Sequence, residues 1–296
     1  MSTPSIETFT ADLPHGISLS CRAAGPRGAP ALVFLHGFPE GAFIWDALLA
    51  HFGTRYRCVA PNLRGYERSS APADVESYRA KFLVQDIAAL IEQTGSPLEA
   101  LVGHDWGGAP AWIVGIQLPQ LIRRLVVINS PHPATFAREL RSNEQQQRAS
   151  AYMNFLCRPD AQQLLAADDY ARMWPFFEHM GGRAWLTPEL RDQYRALWAM
   201  GLEGPLNYYR ASPLRPPTAS DPGAAGVSFK AEQVTVRVPT TVIWGEADVA
   251  LPPSLLDGLE QWVPQMHLVR VPQASHWIVH EQPMLVAREI EAALRR

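Results

Sequence analysis

Val102-Gly103-His104-Asp105-Trp106-Gly107-Gly108 is the stretch on which the reading of this chain turns. Ahead of it, Leu98-Glu99-Ala100-Leu101-Val102 is a short apolar run with the character of a buried strand. Behind it, Ala109-Pro110-Ala111-Trp112-Ile113-Val114-Gly115-Ile116 reads as a helix. Gly103 and Gly107 stand two residues to either side of Asp105, the spacing of a sharp strand-to-helix turn that carries a nucleophile. Glycines are needed there because the strained central residue crowds both positions. The commoner turn of this kind holds Ser at its centre; here it is Asp.

The alternation of strand and helix continues along the chain. Ile6 to Leu13 and Ile17 to Ala23 flank the turn Pro14-His15-Gly16 and predict an edge hairpin. Ala31-Leu32-Val33-Phe34-Leu35 and Leu125-Val126-Val127-Ile128-Asn129 are continuous apolar runs, the pattern of strands buried on both faces. Tyr56 to Ala60, Thr240 to Trp244 and His267 to Val271 add three more short strands. Helices are expected over Phe43 to Phe52, Lys81 to Thr94, Ser254 to Trp262 and from about Glu281, with Gly95 as a stop. An α/β domain with a mainly parallel sheet follows.

That rhythm stops after Pro131. From Ala134 to about Lys230 the chain shows helical patterns rich in aromatic residues, then a Pro/Ala/Gly-rich loop over Leu214 to Gly226. The expectation is an α/β core of residues 1–133 and 231–296, interrupted by a helical cap at 134–230. Trp174, Phe177, Trp185 and Trp198 are candidates for the inner face of that cap, which would suit an apolar substrate.

Composition narrows the functional classes. With 296 residues, 47% of them hydrophobic, the chain can bury a large core in one domain with an insertion. Lys+Arg 26 against Asp+Glu 29 gives a net charge of −3 without long runs of either sign, so neither nucleic acid nor an anionic membrane is an expected partner. Cys21, Cys58 and Cys157 are far apart and form no metal-ligand motif; free thiols and no metal are expected. Met1 to Leu13 has no basic flank or long apolar stretch, and no segment reaches the ~20 apolar residues of a membrane span. A cytoplasmic monomer or homodimer is the expectation.

Three residues carry the chemistry. Asp105, Asp248 in Gly245-Glu246-Ala247-Asp248, and His276 in Gln273-Ala274-Ser275-His276-Trp277 each lie just past a strand. Open parallel sheets place their sites at the carboxyl ends of strands. The order nucleophile, acid, histidine is that of the α/β-hydrolase triad. Singly, each residue has a plainer reading as a turn former or cap; the conjunction favours a site. His51, His179 and His267 lack this context and read as structural, and His280 lies one turn beyond His276.

On these residues the chain resembles the α/β-hydrolase superfamily and, within it, the epoxide hydrolases, with haloalkane and haloacetate dehalogenases as neighbours. The resemblance is carried by His36-Gly37-Phe38-Pro39-Glu40, Gly103 to Gly108, Asn129-Ser130-Pro131-His132-Pro133, Leu206-Asn207-Tyr208-Tyr209-Arg210 and Ser275-His276-Trp277. It implies an α/β-hydrolase fold, no cofactor, a cis Phe38–Pro39 peptide, and backbone N–H groups of Phe38 and Trp106 as an oxyanion hole. It also implies two cap tyrosines as proton donors: Tyr209 matches the second, and Tyr152, seven residues before Pro159, matches the first.

The nucleophile limits the reaction. A carboxylate attacking saturated carbon leaves an ester that water can cleave, whereas serine would leave an ether. An epoxide or a carbon–halogen bond is therefore the expected target, with His276, oriented by Asp248, as base for the water. Epoxide opening needs a proton for the departing oxygen, which Tyr can supply; halide departure needs only N–H donors. The haloacetate enzymes carry an arginine directly after the nucleophile, where this chain has Trp106, and haloalkane dehalogenases usually have a polar residue where it has Phe38. Epoxide hydrolysis is the leading expectation, a dehalogenase the runner-up, and a non-catalytic binding protein on the same fold the third. Asn129 cannot serve as a triad acid, which leaves that role to Asp248.

Overall fold

Side chains alternate across a strand, so a strand that is apolar throughout must be covered on both faces. The computed structural model, which describes residues 4–179, 181 and 184–296, arranges eight strands in one sheet, the central ones of this kind. They are β1 (Glu7–Asp12), β2 (Ser18–Ala24), β3 (Ala31–Leu35), β4 (Arg57–Pro61), β5 (Ala100–His104), β6 (Leu125–Ile128), β7 (Thr240–Gly245) and β8 (Met266–Val271). Their order is β1-β2-β4-β3-β5-β6-β7-β8. The hairpin partners β1 and β2 pair antiparallel, as do β2 and β4; β4, β3 and the remaining strands are parallel.

Alternation sorts the strands between two apolar layers. Val33, Leu35, Leu101 and Val127 face one layer, which the helices Ala80–Thr94 and Gly108–Gln117 cover. Leu32, Phe34, Val102 and Ile128 face the other, under the helices Asp46–Phe52 and Pro283–Arg295. Leu35 stands opposite Gly103, His104 opposite Ile128, and Ile128 opposite Ile243. This register brings the carboxyl ends of β3, β5, β6 and β7 level with one another. The loops that follow them meet on one edge of the sheet.

Between β6 and β7 the chain leaves the sheet and forms a run of helices, including Pro133–Ser142, Ala151–Leu156, Pro188–Trp198 and Glu203–Ala211. Among the described residues no helix is long and apolar enough to cross a membrane. All three cysteines are free thiols. The Phe38–Pro39 peptide is cis, as the resemblance implied.

Two elements depart from the sequence reading. The helix expected over Ser254 to Trp262 is instead two short 3-10 turns, Pro253–Leu256 and Leu259–Gln261. Asp257 is extended and Gly258 sits at φ +72°, so the helical hydrogen-bond ladder cannot cross them. The nucleophile strand begins at Ala100, because Leu98 forms a separate bridge to Ile122.

The turn after β5 depends on backbone contact. A Cβ added at Gly107 would stand 2.3 Å from the Leu35 carbonyl oxygen and 2.6 Å from that of His36. Neither is a side chain that can swing aside. Gly107→Ala should destabilise the fold by about 2–3 kcal/mol, the upper part of the overpacking range. Urea unfolding of the variant beside the parent measures it.

Candidate active site

Asp105 follows β5 at φ +49°, a left-handed conformation that costs an L-residue roughly 1–2 kcal/mol. The surroundings hold it there. Gly103 lies so close to the next turn that an added Cβ would meet the Gly107 carbonyl oxygen at 2.7 Å. The Ser130 hydroxyl donates to the Asp105 carbonyl at 2.7 Å. The 3-10 turn Asp105–Gly107 then runs directly into the helix Gly108–Gln117, whose N-terminal end favours a nearby carboxylate.

The two Asp105 oxygens have different partners. Oδ1 accepts the Phe38 N–H at 2.8 Å, while Oδ2 lies 3.5 Å from His276 Nε2. Burial pushes the Asp105 pKa up. The His276 bond and charge, His104 and the Trp106 N–H outweigh burial and hold the carboxyl below the usual range. Asp105 is therefore ionised at neutral pH.

His276 Nδ1 bonds Asp248 Oδ2 at 2.6 Å. Asp248 is buried but fully satisfied: Oδ1 accepts the Ala250 and Leu251 N–H groups, both at 2.9 Å, and Oδ2 also accepts Asn129 Nδ2 at 2.8 Å. Asn129 in turn accepts the Gly245 N–H at 2.8 Å, tying the ends of β6 and β7 together. Burial opposes charge on His276, yet the carboxylates of Asp248 and Asp105 raise its pKa well above the ordinary histidine value. Asp105, Asp248 and His276 thus come together as the sequence predicted.

Both predicted tyrosines join them. Tyr152 and Tyr209 line one cavity of about 670 Å³ with Asp105 and Trp106. Their rings meet edge to face at 6.2 Å, and each hydroxyl feels the other. Burial raises both pKa values far above 10; the Asp105 charge adds to the rise. Both hydroxyls therefore keep their protons at any working pH. The Trp106 ring packs edge-on to Tyr209 at 5.0 Å. No three His, Cys, Asp or Glu side chains among the described residues converge as metal ligands would.

Comparison with known proteins agrees with this architecture. The model of the alpha/beta hydrolase fold matches residues 30–283. Epoxide hydrolase 4 of Mus musculus is 32% identical over 289 residues, which cover 95% of this chain and 77% of that protein. The chain belongs to the epoxide hydrolase family of α/β-hydrolases. A Bacillus megaterium epoxide hydrolase in complex with an inhibitor superposes with a TM-score of 0.89 at 32% identity, covering 97% of this chain and 100% of that one. A structure described among novel epoxide hydrolases in metagenomes from hot environments gives 0.87 at 37% identity, covering 98% and 99%.

Within this epoxide hydrolase family member, one expectation is overturned. Trp174, Phe177, Trp185 and Trp198 do not line the cavity. Each finds an aromatic partner elsewhere: Trp174 meets Trp198 at 4.8 Å, Phe177 meets Trp277 at 4.7 Å, and Trp185 stacks on His280 at 4.0 Å. Trp198 Nε1 donates to the Pro39 carbonyl at 2.8 Å. These rings bind the helical insertion to the core. Phe136, Met153, Leu214 and Phe229 line the cavity instead.

Sequence reasoning also missed a buried polar cluster behind the triad. Glu40 Oε1 accepts the Tyr194 hydroxyl and lies opposite His280 Nε2, both at 2.6 Å. Glu40 Oε2 stands 3.5 Å from His104 Nδ1, and neither atom has a hydrogen-bond partner. His104 Nε2 bonds the His276 carbonyl at 2.9 Å, linking the cluster to the triad. The signal was present only in part: Glu40 directly follows the His-Gly-Phe-Pro turn, but its partners are far away in sequence.

Burial raises the Glu40 pKa, yet His280 and His104 outweigh it and hold the carboxyl well below its usual range. A depressed carboxylate stabilises the fold above its unfolded pKa of about 4.5 and loses that contribution as pH falls. Glu40→Leu should cost about 3 kcal/mol or more at pH 7, because Tyr194 and His280 lose their buried partner. Urea unfolding as a function of pH should show the gap to the parent closing below about pH 4.

Proposed function

We propose that the protein hydrolyses epoxides to vicinal diols through a covalent ester on Asp105. In this reading residues 134–230 form a cap over a core of 1–133 and 231–296, and the epoxide enters between them. Asp105 Oδ1 stays in the oxyanion hole of the Phe38 and Trp106 N–H groups, leaving Oδ2 to attack. Oδ2 forms a bond to one epoxide carbon as the bond from that carbon to oxygen breaks. The departing oxygen takes its proton from Tyr209 or Tyr152. Water then adds to the carboxyl carbon of the ester, giving a proton to His276. Cleavage of the acyl–oxygen bond releases the second diol oxygen, which takes the remaining proton of the added water and leaves Asp105 a carboxylate, while the proton on His276 returns to the phenolate.

One charge retunes every participant. The Asp105 carboxylate raises the pKa of His276 and of both tyrosines. Esterification removes that charge. His276 then becomes easier to deprotonate, as a base for water must be, and the tyrosines become better acids as the alkoxide needs its proton.

The observation that carries the reading is the pair of protonated tyrosines in the same cavity as Asp105. The Phe38 N–H, a donor that a departing halide could use, is already committed to Asp105. This favours an epoxide over a haloalkane.

His276→Gln should form the ester but fail to cleave it, leaving an adduct on Asp105 in a mass spectrum after styrene oxide is added. An unmodified protein with every epoxide tried, beside halide release from bromoalkanes, would sink the reading. Tyr209→Phe should slow ester formation by about 10²-fold or more, measured in single-turnover quenching. With Asp105 held low, ester formation in the parent should stay constant down to about pH 5. Steady-state turnover should fall first on the acid side, because His276 must be neutral in the ester.

A further inference from the structure

The cavity follows one helix away from the nucleophile, and the end away from Asp105 carries a sign. Trp106, Ala109, Ile113, Ile116 and Gln117 all line it. They form one stripe along the helix Gly108–Gln117 and the turn before it, at spacings of three and four residues. At about 1.5 Å per residue, that stripe runs about 18 Å from the nucleophile to Gln117. Leu214, Val227 and Phe229 supply apolar wall along the cavity.

Glu232 and Gln233, in the exposed turn Ala231–Gln233, also line the cavity. Val236, just beyond that turn, packs beside Gly115, within 3.3 Å of where a Cβ would stand. This places the turn near the far end of the cavity. Among the described residues no Lys, Arg or His lines the cavity; the charged ones that do are Asp105 and Glu232. The helix also points its C-terminal end, with its partial negative charge, at this mouth.

Resting on the epoxide reading above, we propose that the cavity takes a terminal epoxide borne on an extended, uncharged apolar body. Glu232 and the helix C-terminus then reject bodies whose far end is a carboxylate. Such a tail must lose water beside apolar walls, finds no cation among the described lining residues, and faces like charge. An ester, amide or aryl tail meets none of these penalties. Gln117 and Gln233 can bond either kind of oxygen, so the discrimination is by charge.

The test compares kcat/KM for 10,11-epoxyundecanoic acid, its methyl ester and styrene oxide in the parent, Glu232→Gln and Glu232→Lys. The ester should exceed the free acid by about fivefold or more in the parent at low salt. Glu232→Lys should narrow or invert that ratio, Glu232→Gln should fall between, and added salt should narrow it in the parent. Equal values for acid and ester, or a ratio unmoved by Glu232→Lys, would overturn the proposal while leaving epoxide hydrolysis intact. Inertness of all three substrates would instead overturn the epoxide reading, and this inference with it.

Discussion

A single ionised carboxylate buried against the end of a sheet sets the demands that the rest of the site meets. Asp105 must be desolvated to attack carbon, yet desolvation alone would protonate it. The Phe38 and Trp106 N–H groups, the helix start and the His276 side chain together keep it charged. Its charge then acts on every neighbour. It raises His276 and both tyrosines, so the resting site carries its protons where the proposed first step needs them.

Holding that charge in place requires a backbone with no slack. Asp105 takes a left-handed conformation, Gly103 and Gly107 leave no room for a side chain, and Ser130 pins the Asp105 carbonyl. Asn129 and Asp248 fasten the neighbouring strand ends. Behind them, the Glu40, Tyr194 and His280 cluster joins the helical insertion to the core beside His104. Polar groups buried this deeply are tolerable because nearly all of them are paired. Glu40 Oε2 and His104 Nδ1, which face each other, are two of the described atoms left without a partner.

Much of this could be read from the chain itself. The strands were visible because β3, β6 and β7 are buried along their whole length and therefore almost uniformly apolar. Asp105, Asp248 and His276 were visible because each closes a strand in a recognisable order. What escaped was set by distance or by ambiguity of pattern. The Glu40 cluster joins residues 154 and 240 positions apart, and nothing local marks Tyr194 as its partner. Apolar spacing told that Trp174, Phe177, Trp185 and Trp198 would be buried, but burial against Trp277 and burial against a ligand look alike in sequence. The missing helix after β7 hung on the single left-handed Gly258.

The helix Gly108–Gln117 begins at the nucleophile and supplies one wall of the cavity. Reaction centre and measuring edge are therefore one rigid piece. Changes in that helix would disturb attack geometry and substrate fit together, whereas Leu214, Val227 and Phe229 line the cavity from a separate segment that does not carry the nucleophile. Divergence in substrate preference has an open route through that segment, and the helix is the part that lineage drift must leave alone.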